Sequence, residues 1–207
     1  MSKKILDKFF KENTVKSEMP SAQALMHFHI QLESNQDANE QIHGAMNSLV
    51  FNAQPTREQD TLAERNEIES ATDCAQIIRF LRRHVDPINS HVLLKKAIEY
   101  ENETVPEIIK RLKTNLDDGF IEMSVRVLAS SSINTAEELV CCFDDIRSPY
   151  AQSEVLVLLG YKADESLLPW LIDKYDEFKK RYPNESYCDG AYYALFEIEN
   201  RFYPVGK

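Results

Sequence analysis

Histidines, cysteines and carboxylates have the widest chemical range in this chain, and their spacing limits what they can do. His27, His29, Glu33 and His43 fall in one short stretch. On a helix His27 and His29 point about 200 degrees apart, and only His29 and Glu33 share a face. No ligand set converges there, so no metal and no other cofactor is expected. Cys74, Cys141, Cys142 and Cys188 form no C-x-x-C pair, and bridging the adjacent Cys141 and Cys142 inside a helix is geometrically awkward. They are expected as reduced, mostly buried and therefore inert thiols, which fits a cytoplasmic compartment. The acidic pairs Asp117-Asp118, Glu137-Glu138 and Asp144-Asp145 could suggest a carboxylate dyad. Each sits at an expected helix end, and capping and the macrodipole account for acidic residues before or in a first turn, but less well for Asp144-Asp145, which trails its helix. There is no G-x-S-x-G elbow, no G-x-x-x-x-G-K loop and no G-x-G-x-x-G turn. No catalytic residue is expected.

Charge says more than any motif. The 207 residues carry 24 basic and 34 acidic side chains, a formal net charge of −10. Residues 1–72 hold 7 basic and 11 acidic residues, net −4; residues 73–113 hold 8 and 6, net +2; residues 114–207 hold 9 and 17, net −8. The basic island is Arg79, Arg82, Arg83, Lys95, Lys96, Lys110, Arg111 and Lys113. One island in an acidic chain reads as a solvated face or a local dock for an acidic segment, and nucleic acid is not the expected partner. Twelve of the 20 aromatic residues lie in 150–207. They serve either as a bulky cap closing the last structural layer or as an interface, since Tyr and Trp are enriched at binding hot spots.

The elements that position these residues are helices. Residues 1–72 are polar and weakly patterned, with helices expected at about 3–13, 20–33, 37–51 and 57–68. The first is amphipathic, and its charges break the apolar run a secretory signal needs. From residue 73 the pattern sharpens. Val105–Leu112, Ala136–Phe143 and Leu168–Tyr175 each place apolar residues at positions one, four, five and eight of a helical stripe, 31 and 32 residues apart. A second helix accompanies each, over Ile88–Tyr100, Phe120–Ser130 and Tyr150–Gly160, with another around Tyr187–Phe202. Asn102 or Thr104, Thr135 and Asp164 stand where N-caps belong, and Pro106 is expected in a first turn, where its missing N–H costs nothing. No run alternates with period two, and no apolar run approaches the about 18 residues of a membrane span. The fold class expected is all-α. The architecture is an α-α superhelix of two-helix repeats over 73–207, with an N-terminal helical capping region over 1–72.

Leu159-Gly-Tyr-Lys-Ala-Asp-Glu-Ser-Leu-Leu-Pro-Trp-Leu-Ile172 resembles the loop and first helix of HEAT-like repeats, and Glu101–Ile109 is a weaker copy. The basic residue usual near the start of the second helix in that family is replaced by His91, Ile121 and Gln152. Some HEAT-like proteins are di-iron hydroxylases with paired His-Glu dipeptides, and this chain has none. HEAT-like DNA glycosylases present a broad basic groove, whereas here there is a single island. The resemblance implies a non-enzymatic repeat protein whose second helices line a concave, protein-binding surface. The contact residues expected there are His91, Lys95, Glu122, Arg126, Gln152, Asp189 and Tyr192. The acidic C-terminal portion points to a partner with a basic surface, for a scaffold, an adaptor or an immunity-type inhibitor. The rival reading is a nucleic-acid-processing protein or other enzyme on the same fold.

Overall fold

In the computed structural model, residues 2–13 and 55–204 are described, and the expected helices at 20–33 and 37–51 lie outside them, as do His27, His29, Glu33 and His43. The described residues form α-helices and three short 3-10 turns, without strands. They belong to two compact units, one made of Met1–His27 with Asn134–Lys207 and the other of Phe28–Ile133.

The second unit contains α2 (Pro55–Glu69), α3 (Cys74–Leu81), α4 (Ser90–Glu99), α5 (Glu101–Leu112) and α6 (Asp118–Ser130). Helix α3 starts at Asp73, whose Oδ1 accepts from the Gln76 N–H at 2.8 Å, while Gln76 Oε1 accepts from the Thr72 N–H at 3.1 Å. This reciprocal pair satisfies two amide donors that would otherwise lack partners. A polar cluster fastens α2 to the turn before α4. Wholly buried Asn89 donates to Thr61 O and Glu64 Oε2, both at 2.9 Å, and Arg65 donates to Asn89 Oδ1 at 3.2 Å. Glu64 also accepts from the Asp86 N–H, whose carboxylate in turn accepts from Thr61.

Two capping expectations fail. Helix α5 begins at Glu101, directly after the Tyr100 joint with α4, so neither Asn102 nor Thr104 caps it. Thr104 is buried instead, and its hydroxyl donates to Ala97 O at 2.8 Å across the joint. Pro106 therefore lies in the second turn, where it removes the bond to Asn102 O; both residues are exposed, so that carbonyl is open to water. Thr135 precedes α7 without a capping bond, and Asn134 Oδ1 accepts from the Ala136 N–H in its place.

The first unit holds α1 (Ser2–Glu12), α7 (Ala136–Cys142), α8 (Pro149–Lys162), α9 (Leu168–Arg181) and α10 (Asp189–Phe202). Ser148 caps α8, and Pro149 fills its first position. Every residue from Ala151 to Gly160 is buried, so α8 is the central helix of this unit, as its unbroken Val155–Leu159 run requires. Helix α10 crosses it at very short range. A Cβ at Gly160 would stand 2.6 Å from Ala194 Cα, and one at Gly190 would stand 2.2 Å from Ser153 O. Helix α1 lies against α10, burying Leu6 completely and Phe9 almost so, worth about 1.5–3 kcal/mol for each such side chain. Lys179 on α9 donates to Asn13 Oδ1 at 2.9 Å just past the end of α1.

Candidate functional site

Four of the C-terminal aromatic residues, Tyr175, Tyr192, Tyr193 and Phe196, form a continuous ring cluster with Phe9 and Phe10 of α1. Tyr192 stands at its centre. Its ring centroid lies 5.2 Å from Phe10, 5.9 Å from Phe9, 6.4 Å from Tyr175 and 5.9 Å from Tyr193. Phe10 continues the cluster outward to Phe196, 6.5 Å away. Tyr175 and Phe9 are buried, Tyr192 and Phe10 are half-buried, and Phe196 is 42% exposed. The cluster thus grades from a packed core into an open seam between α1 and α10.

Electrostatics follow that grading. Burial, foremost, and then neighbouring negative groups push the Tyr175 and Tyr193 phenols up to about 12. Tyr192 is raised too, by burial and then by Glu199 and Asp189. Tyr161 lies far above its ordinary range, again through burial first and then through the charge and hydrogen bond of Glu197, itself 5% exposed. All four phenols are neutral at physiological pH, suited to packing and hydrogen bonding and not to proton transfer.

The seven residues expected to contact a partner are placed unequally. His91 is half-buried, with Nδ1 2.9 Å from Ile88 O, and Lys95 is exposed one turn further along α4. Glu122 and Arg126 are half-buried on α6, which packs against α4 in the same unit, and Arg126 points to Met123 Sδ at 3.1 Å. The other three lie in the first unit. Gln152 is 7% exposed and donates to Phe143 O at 3.2 Å, tying α8 to the 3-10 turn after α7. Asp189 is 1% exposed in the first turn of α10, beside Cys188 and the close crossing at Gly190. These two are packing residues and present no charge or amide to solvent. Tyr192 alone of the three reaches the surface.

None of the four cysteines is in a disulfide. Cys142 and Cys188 are buried, but Cys74 is half-buried and Cys141 exposed, so the expectation of mostly buried thiols holds for only half of them. Cys141 takes position six of its helical stripe, which faces outward. Acidic pairs sit at helix ends as read: Asp117 Oδ1 caps α6 through the Phe120 N–H at 2.7 Å, and Glu137 and Glu138 occupy the first turn of α7. Asp144 is held by Lys174, whose Nζ lies 2.9 Å from both Asp144 Oδ1 and Glu177 Oε2 and over the rings of Phe143 and Trp170. Among the described residues no three His, Cys, Asp or Glu side chains gather in a way that could hold a metal ion, and no helix is long and apolar enough to cross a membrane.

Sequence reading missed Phe10 and Phe196 as partners of Tyr192. The available signal was the apolar stripe Ile5, Leu6, Phe9 and Phe10 on a helix outside the repeats, which had to be buried somewhere. Comparison with family models, with curated proteins and with solved structures gave no match.

Proposed function

We propose that this protein is a non-enzymatic helical-repeat module, built like the HEAT-like proteins its sequence resembles, that binds another protein. The observation carrying the reading is the aromatic seam of Phe10, Tyr192 and Phe196, rooted in a buried cluster and open at one edge. Rings held rigidly by packing beneath and exposed above lose little freedom on binding, which is why aromatic residues dominate interface energetics. The −8 balance of residues 114–207 supports a partner with a basic surface, steered in by long-range attraction. His91, Lys95, Glu122 and Arg126, on adjacent helices α4 and α6, remain the proposed polar contacts of the repeat surface.

The test is cross-linked capture from native cell extract with the parent chain and with Phe196→Asp. Phe196 is exposed enough that the change leaves the fold intact. A protein retained by the parent and lost with the variant supports the seam as the contact. Identical recovery with both removes the seam from the account.

A further inference from the structure

The second unit carries a groove of about 870 Å³ between α3 and α5 that the aromatic seam does not use. Its α3 wall follows one helical stripe: Cys74, Ala75 and Ile78 are followed by Arg79 and Arg82. Ile78, 3% exposed, closes the floor, and Cys74 is half-buried beside it. The apolar stretch therefore leads directly into two guanidinium groups.

The four arginines lining the groove are not equivalent. Arg111 is engaged by Glu107 at 2.7 Å, and Arg83 is held by Glu64 at 3.1 Å and Glu67 at 3.2 Å. Arg79 and Arg82 are exposed and make no ion pair among the described residues, although Glu103 and Glu107 line the same groove. Two planar, permanently charged forks spaced i, i+3 on one face are suited to paired carboxylates, which they can bind bidentately.

We infer that the α3–α5 groove is a docking site for an acidic peptide segment of a partner protein, with an apolar side chain over Ile78 and two carboxylates on Arg79 and Arg82. The lining also argues against a nucleic-acid strand. Asp73, Glu103 and Glu107 face the same space, and a strand with one charge per nucleotide would meet them as well as the arginines. A peptide spaces its carboxylates, so it can match the arginines and set neutral groups against Glu103. The molecule's net charge of −10 adds a further penalty for a polyanion.

The probe is a fluorescein-labelled peptide of alternating glutamate and leucine, titrated against the full chain by fluorescence anisotropy at low and moderate salt. Saturable binding is expected that weakens with salt and falls about tenfold or more in Arg79→Glu/Arg82→Glu. Lys180→Glu, exposed on α9 in the other unit, is expected to change it little. If the double charge reversal does not fold, Arg79→Gln/Arg82→Gln is read the same way. A second readout is covalent: bound peptide should shield Cys74 from a maleimide and leave exposed Cys141 reactive. No saturation at millimolar peptide, equal affinity in the arginine variants, or unchanged Cys74 labelling would overturn the assignment. So would a single-stranded oligonucleotide of equal charge binding tighter than the peptide. Phe196→Asp leaves this binding intact, so failure here is separable from failure of the seam.

Discussion

Burial tunes the Cys74 thiol and the core tyrosines foremost, and two titrations follow from it. Cys141 is exposed, whereas the Cys74 thiol is pushed up by burial first and then by Glu103, Glu107 and Asp73. Because the thiolate is the nucleophile, Cys141 should alkylate first near neutral pH, Cys74 should lag and need more alkaline conditions, and Cys142 and Cys188 should react only on unfolding. Mass spectrometry at timed points checks the order; Cys74 reacting as fast as Cys141 would contradict it. The second titration concerns the phenols of Tyr175 and Tyr193, pushed up to about 12. Their folded-state affinity for the proton exceeds that of the unfolded chain, whose tyrosines titrate near about 10. The stability they contribute is therefore complete below pH 10 and is lost as pH rises to about 12. Ultraviolet titration of phenolate alongside denaturant melts should show the late-ionising tyrosines and the falling stability in the same window. Tyrosines that all ionise near pH 10, with flat stability above it, would refute the assignment.

At the level of elements, the α8–α10 crossing depends on two glycines. Gly160→Ala and Gly190→Ala each place a methyl against backbone at 2.6 and 2.2 Å, where no side chain can swing aside. Each should destabilise the protein by about 2 kcal/mol or more, read from the denaturant midpoint. Gly119→Ala is the contrast. Its methyl would press on the His84 ring at 3.0 Å, which is 81% exposed and can turn aside, and meet Asp117 Oδ1 only at an ordinary 3.5 Å, so the gain in helix propensity should make it neutral or stabilising by up to about 1 kcal/mol. Losses at Gly160 and Gly190 no larger than at Gly119 would show that the crossing is looser than described. These elements were largely legible from sequence. Nine of the ten α-helices among the described residues fall on expected segments, because an amphipathic period of 3.6 records which face must be buried; α3, only eight residues long, is not among them. What the period cannot record is which faces meet. Phe9 and Phe10 read as half of an amphipathic helix, and only the fold brings them to Tyr192. Asp189 and Gln152 read as exposed polar positions at the start of helices, yet close approach at Gly190 and the bond to Phe143 O bury both.

Taken as a whole molecule, the chain combines an acidic balance with a half-open aromatic seam in one unit and, in the other, a groove with two arginines that make no ion pair among the described residues, Arg79 lying over the Phe80 ring. Helices and buried polar clusters make stable frames, and among the described residues no three His, Cys, Asp or Glu side chains gather in a way that could hold a metal ion. Leu6→Ala should therefore weaken binding through the frame: removing a wholly buried side chain from α1 costs about 2–5 kcal/mol of stability and loosens the support of Tyr192. A melting midpoint unchanged by that substitution would show that α1 is not part of the packed unit. Charge acts differently, at a distance and before contact, with a screening length of about 8 Å at physiological ionic strength. The most direct test of the protein-binding claim is the kinetics of the captured partner on the parent and on Phe196→Ala at two salt concentrations. Association should slow with added salt on both chains, and dissociation should be at least about tenfold faster for the variant. Dissociation rates that match on the two chains, with association indifferent to salt, would contradict it.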